Sequence, residues 1–281
     1  MTKPHKGKKL AEGKTKIIWQ CPGRANDVLI ESKDDITAGD GARRHLLPGK
    51  GQLATTTTCR VFEFLDRRGM LTHYLGQLSP TIFRVRRMTM IPLELVARRI
   101  ATGSYLKRHP EVAEGTRFED PVLEMFLKDD ARHDPMVLPA ERGDVWELYD
   151  PKRPTTAGPI DRRRFDDLRA GKRRIDLELT TVLIGQTEAA FIALEEAWTA
   201  QDVTLVDFKI ECGFDAYDST LRIGDVVDND SWRIWPKGKK ALDVSKQVFR
   251  DLPEVTDAAL KPIRDKYAWV ANAVERFSTL P

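Results

Sequence analysis

The sequence predicts an α+β protein. Three observations carry this. Short segments near the start, KTKIIW and DVLIES, have the period-two character of strands. LVDFKIECG, residues 205–213, alternates apolar and charged residues in the same way. Between and after them run longer stretches with helical apolar spacing. Strands and helices in separate runs give α+β packing rather than a doubly wound sheet.

In chain order, the two N-terminal strand segments precede a helical stretch from about Leu53 to Arg68. Gly69 stands where a helix C-cap belongs. THYLG, IFRVRR and MTMIPLELVARRI continue the β pattern, so the first third reads as a mostly antiparallel sheet with one helix. A second helix is predicted from Val182 to Trp198. A hairpin follows, with LVDFKIE and LRIGDVV joined by a turn at AYDS. DAALKPIRDKYAWVANAVERF is a C-terminal helix. Residues 141–176, rich in Pro, Gly and charge, read as a solvated surface insertion or a part-mobile loop.

Composition narrows the function. The 281 residues are 41% hydrophobic, enough for a sizeable core. No run approaches the ~20 apolar residues of a membrane span, and the basic N-terminus lacks the apolar segment of a secretory signal. Three cysteines without CxxC spacing read as reduced thiols of a cytoplasmic protein. A net charge of +3 is too small to imply nucleic acid, but it suits a locally basic cleft for small anions.

Several short patterns carry chemistry. In AEGKTKIIW, Gly13 would let backbone approach a phosphate, and Lys14 and Lys16 share one face as point charges. DITAGDGARR sets Asp35, Asp40, Arg43 and Arg44 beside glycines. ARRIATGSYLKR flanks a small-residue turn with Arg98, Ser104, Lys107 and Arg108, the parts of a phosphate cradle. FLKDDARHDP packs Lys128, Asp129, Asp130, His133 and Asp134 together. One histidine and no nearby cysteine exclude a zinc site, and Asp134 ahead of Pro135 also reads as a helix cap. In IGDVVDNDSWRIWPKG, hairpin pairing brings Asp225 toward Glu211, a carboxylate pair suited to Mg²⁺. Asp230 and Arg233 follow on the same rim. Asp207, Lys209 and Glu211 stand on one face of their strand at roughly 6.8 Å spacing. Either they face solvent, as on any half-buried strand, or they face a site.

The order EGKTK, DITAGDGAR, MIPLELVARRIATGS, FLKDDARHDP, LVDFKIECG, GDVVDNDSWRIW, SKQVFRD resembles the SAICAR synthetase family of purine biosynthesis over nearly the whole chain. ATGSYLKR and VVDNDSWRIWPKG are most similar to the synthetase half of the animal bifunctional form. The bacterial form has D-E-x-S-P-D where this chain has DVVDND. The resemblance implies an ATP-dependent ligase in which ATP phosphorylates the carboxylate of CAIR (carboxyaminoimidazole ribotide). The amine of L-aspartate then displaces phosphate. It implies a small antiparallel lobe, residues 1–88, and a larger α+β lobe, residues 89–281, similar to ATP-grasp and kinase lobes, with ATP between them.

By the same resemblance, Gly13, Lys14, Lys16, Met90 and Lys128 would hold the nucleotide, and Glu211 and Asp225 would hold Mg²⁺. Arg98, Ser104, Arg233, Asp134, Lys246 and Arg250 would hold substrate. Asp40, Asp207 and Lys209 would line the catalytic cleft. The partners implied are CAIR and L-aspartate, without nucleic acid or membrane, and homo-oligomer formation is left open. A small-molecule kinase and a polyanion-binding module using residues 162–174 are the competing readings.

Overall fold

The computed structural model describes residues 4–38 and 43–280. The N-terminal part contributes β1 (Lys9–Glu12), β2 (Lys16–Gln20), β3 (Asp27–Ser32), the hairpin β4 (Asp35–Ala38) and β5 (Arg43–Leu46), α1 (Lys50–Arg67), β6 (Tyr74–Ser79) and β7 (Ile82–Arg86). Then come β8 (Met88–Ile100), α2 (Ser104–Arg108), β9 (Arg117–Leu127), β10 (Met136–Pro139), β11 (Val145–Tyr149), β12 (Asp161–Arg164), β13 (Arg169–Ala170) and β14 (Arg173–Arg174). The chain closes with α3 (Leu177–Thr199), β15 (Val203–Asp215), β16 (Leu221–Gly224), β17 (Trp232–Pro236), α4 (Gln247–Arg250) and α5 (Asp257–Glu275).

Two antiparallel sheets organise the molecule. One has the order β1-β2-β3-β7-β6; the other runs β12-β11-β10-β9-β8-β15-β16, with β17 also paired to β15. The chain leaves the first sheet after Arg86 and enters the second at Met88. The packing does not divide there. Ile36, Ala38 and Leu47 bury against Leu260, Ile263 and Tyr267 of α5, and Phe62, Phe64 and Leu65 of α1 join the main core.

The main core lies on one face of the larger sheet. Leu93, Leu95 and Ala97 of β8 and Phe208 and Ile210 of β15 pack against Leu183, Phe191, Leu194 and Trp198 of α3. By length and composition α3 could cross a membrane; here it is the core helix of the larger sheet. It starts where Asp176 accepts a hydrogen bond from the Leu179 N–H at 3.1 Å. α1 ends as expected, with Gly69 at φ +79° relieving the turn.

Two sequence expectations hold only in part. Residues 141–176 are for the most part exposed or half-buried, as expected, but they are not free of the sheet and core. β11 and β12 extend the larger sheet, and Trp146, Leu148, Phe165, Leu168, Ala170 and Ile175 are core residues. The Trp146 indole donates to the Ile175 carbonyl at 2.8 Å. Charged residues interleave with these apolar ones, so composition hid a strand pattern. Val206 also does not join Phe208 and Ile210. The β15–β17 register shifts between Leu205 and Asp207, and Val206 packs with Ile100 and Trp235 instead.

Candidate active site

The face of β15 opposite the core carries the site. Asp207 pairs with Arg98, Lys209 with Val96, and Glu211 with Glu94 across the β8–β15 ladder. Directly opposed residues in antiparallel strands share a face. The three alternating charges therefore lie against Glu94, Val96 and Arg98. Lys209 donates to Glu94 at 2.5 Å, and Lys128 to Glu211 at 2.5 Å. Lys16 pairs with Asp225. Asp225 is not in the strand: β16 ends at Gly224, which pairs with Glu211, and Asp225 turns the chain with φ +59°. The turn leaves Asp225 bordering the same cavity as Glu211.

Three neighbouring cavities share these residues. The largest, about 590 Å³, has an apolar wall of Ile18, Val28, Ile30, Val85 and Ile91, with Met88 and Met90 beside it. Its polar end is Lys16, Lys128, Glu211 and Asp225. A second, about 130 Å³, also touches Lys16, Glu211 and Asp225 and adds Lys209, Asp228, Asp230 and Ser231. The third, about 170 Å³, takes up Lys209, Asp230 and Ser231 and is bordered by Glu94, Arg98, Ser104, Asp207, Arg233 and Arg250.

The basic side of the third cavity is a buried ion network. Arg98 is 4% exposed; it donates from Nε to Glu124 at 2.5 Å and from Nη1 to Asp207 at 2.7 Å. Arg108, expected in the phosphate cradle, is instead buried against Glu124 and the Pro151 carbonyl. The Thr-Gly-Ser turn serves packing as well. Gly103 has φ +62°, and a Cβ there would collide with the Arg233 guanidinium. Glycine lets Arg233 lie over the backbone beside Ser104.

Charge balance sets the protonation of the cations. Burial pushes the Lys16 ammonium down to about 8, with Glu211 opposing. Burial acts the same way on Lys209, but Glu94 and Glu211 outweigh it and hold its pKa above the usual value. Asp230 is raised by burial but held well below the usual carboxylate range by Lys50 and Lys246. It accepts from Lys246 at 2.7 Å and from the Tyr267 hydroxyl at 2.9 Å. Burial and the Asp230 charge raise Asp228.

Other predicted residues stand apart. Lys14 is half exposed and lies 3.9 Å from Asp130. Gly13 closes the β1–β2 turn, its N–H donating to the Lys16 carbonyl at 2.9 Å. Asp134 is no helix cap: with φ +54°, it accepts from the Asp129 N–H at 2.8 Å and closes its own loop. Lys246 reaches the site through Asp230. Asp40 lies outside the described residues. Glu94 was missed, although it precedes Arg98 by four residues in a strand and so shares its face. Lys50, 1% exposed, and Tyr267 beneath Asp230 gave no periodic signal.

An apolar cavity leading into lysines and carboxylates, then into arginines, defines a class: enzymes that use ATP to activate an anionic substrate. Such enzymes need positioned charge more than a protein nucleophile. This chain belongs to the SAICAR synthetase family, whose family model matches residues 9–157 and 164–264. It is 47% identical over 269 residues to phosphoribosylaminoimidazole-succinocarboxamide synthase of Roseiflexus castenholzii, covering 96% of this chain and 97% of that one. It is 41% identical to the multifunctional protein ADE2 of Gallus gallus, over 96% of this chain and 58% of that one. Among solved structures, a type-2 SAICAR synthetase in complex with ADP superposes with a TM-score of 0.71 at 26% identity, covering 92% of this chain and 97% of that one. The enzyme is thus an ATP-dependent carbon–nitrogen ligase of purine biosynthesis, joining L-aspartate to CAIR.

Proposed function

We propose that the three cavities divide this reaction among them. The large apolar cavity takes the adenine of ATP, with Met90 at its edge and Lys16 and Lys128 at the phosphate end. The arginine-lined cavity takes CAIR through Arg98, Ser104, Arg233 and Arg250. The small cavity between them is where the CAIR carboxylate meets the γ-phosphate. The observation that carries this is the sharing of Lys16, Glu211 and Asp225 by the first two cavities and of Lys209, Asp230 and Ser231 by the last two.

Glu211 and Asp225 fit Mg²⁺. It is a hard cation, commonly held by one or two carboxylates plus phosphate oxygens and water. Both carboxylates already hold ammonium groups at the boundary of the cavities. Mg²⁺ bound there would offset the charge of the phosphates. The chain's own residues do the rest. Lys16, Lys128 and Lys209 neutralise oxyanions, and Arg98 and Arg233 hold the ribotide. The carboxylate oxygen of CAIR attacks the γ-phosphorus and ADP leaves. The aspartate amine then attacks the acyl carbon, phosphate leaves, and the amine loses a proton. Residues 1–88 and 89–281 supply the two walls of the cleft, although their cores are joined through α1 and α5, and the enzyme works in the cytoplasm. One assay tests the scheme: ADP release with CAIR and aspartate each omitted in turn. Release that proceeds at full rate without CAIR would overturn it.

A further inference from the structure

Three polar side chains that border the largest cavity, His73, Arg86 and Arg87, are left unused by the scheme above, and His73 is the buried one. His73 lies just before β6 and is 3% exposed. Its backbone is held on both sides: its N–H donates to the Ile223 carbonyl at 2.9 Å, and its carbonyl accepts from the Arg86 N–H at 2.8 Å. The ring stands edge-on to Phe62, with centroids 5.2 Å apart, and lines the cavity. Yet Nε2 is buried without a hydrogen-bond partner among the described residues. Buried polar atoms are nearly always paired. Nε2 is sealed from the cavity as well as unpaired, so the nitrogen the ring offers a ligand is Nδ1, which lies toward Met88 and Met90.

Its position indicates which part of the ligand. A Cβ on Gly224 would meet Met88 Cε at 2.8 Å, His73 Nδ1 at 3.5 Å and Met90 Cε at 3.5 Å. The imidazole thus stands with two thioethers over a bare Cα. A flat heteroaromatic ring fits such a place, between an imidazole and two thioethers. Burial and the Lys16 charge push the imidazole down to about 3, so it is neutral near pH 7. A neutral imidazole offers one donor and one acceptor. The outer edge of adenine offers a partner for Nδ1 in either tautomer, N7 as acceptor or the 6-amino group as donor.

We propose that His73 is a specificity-determining residue that hydrogen-bonds the edge of the purine base. The proposal rests on reading this cavity as the nucleotide site. Titration calorimetry with ADP, 7-deaza-ADP and the diphosphate lacking the 6-amino group tests it on wild type and His73→Leu. Wild type should lose roughly three- to tenfold in affinity for one analogue, the worth of one neutral hydrogen bond. His73→Leu should lose about as much for ADP itself and no longer distinguish ADP from that analogue. His73→Asn should recover part of the loss. If both proteins lose the same factor on each analogue, or His73→Leu binds ADP undiminished, His73 does not touch the base. Should the leucine variant not fold, the imidazole ¹⁵N shifts of the wild type decide: no change at His73 on saturation with ADP overturns the proposal. The nucleotide-site reading fails separately, if a folded Ile18→Trp variant with its cavity filled still binds ADP as wild type does.

Discussion

Arg233 grips Asp207 with two parallel contacts: Nε donates to one carboxylate oxygen at 3.0 Å, and Nη2 lies 2.7 Å from the other. Arg98 donates to the second oxygen at 2.7 Å. Both oxygens of Asp207 are engaged by guanidinium groups. Its role is therefore to hold two cations in place rather than to accept a proton. A bidentate pair also fixes the plane of Arg233 beside the third cavity.

The two arginines should respond differently to lysine. Arg233→Lys is expected to raise the KM for CAIR by roughly tenfold or more, the worth of one charge-assisted hydrogen bond, with the ATP KM nearly unchanged. Arg98→Lys should also weaken CAIR binding, but with a clear drop in melting temperature. Lysine keeps the charge but cannot bridge Glu124 and Asp207 at once, so one buried carboxylate loses a partner. Ser104→Ala should act on CAIR more weakly, about 0.5–1.5 kcal/mol. Steady-state kinetics and thermal melts read both effects. A rise in the ATP KM alone would move these residues to the nucleotide.

Glu211→Gln and Asp225→Asn should each remove most of the activity and leave the melting transition in place. Each carboxylate borders open cavity and holds one lysine, so little packing depends on its charge. Activity measured against Mg²⁺ concentration is the check. Near wild-type rates at limiting Mg²⁺ in either variant would show that it is not a ligand.

Trimming residues 152–174 to a Gly/Ser linker should abolish cooperative unfolding, because it removes β12 and the buried Phe165, Leu168 and Ala170. Trp146→Ala, a smaller lesion in the same layer, should cost about 3–5 kcal/mol. Denaturant titration measures it. A trimmed protein that melts like wild type would show the segment to be dispensable.

His73 sets a pH dependence of stability. Its folded pKa of about 3 lies below its usual value near 6.5, because burial first and Lys16 second oppose its charge. Between these two values the unfolded chain binds the proton and the folded chain does not. Stability contributed by the neutral ring is thus intact above pH about 6.5 and is lost as pH falls toward 3. His73→Leu should lose less stability than wild type over that window in urea titrations. Equal slopes for the two proteins would remove His73 as the cause.

The thiols should be silent in the native state. Cys21, Cys59 and Cys212 are buried and unbridged, and burial pushes Cys59 up to about 12. A thiol that is both sealed and protonated is a poor nucleophile. Labelling by a chromogenic disulfide should appear only on addition of denaturant. Rapid native labelling of any of the three would contradict this packing.

The legible part of the site is what short-range periodicity encodes. Alternation in LVDFKIECG placed Asp207, Lys209 and Glu211 on one face, because side chains of a strand alternate whatever it pairs with. Hairpin spacing brought Asp225 to Glu211 for the same local reason, and the ordered motifs reached the family. The partner of each charge was decided only by the tertiary structure. Asp207 is an arginine holder because β8 and β17 flank β15 and set Arg98 and Arg233 beside it. Arg108 is buried rather than a phosphate ligand because Glu124, on the next strand, draws it inward. Within residues 141–176, mostly exposed or half-buried, Trp146, Leu148, Phe165, Leu168, Ala170 and Ile175 became core because sheet pairing found apolar alternation that the segment's average charge concealed. His73 and Lys50 carried no signal at all: a buried polar residue is recognised by what surrounds it, and its surroundings come from distant parts of the chain.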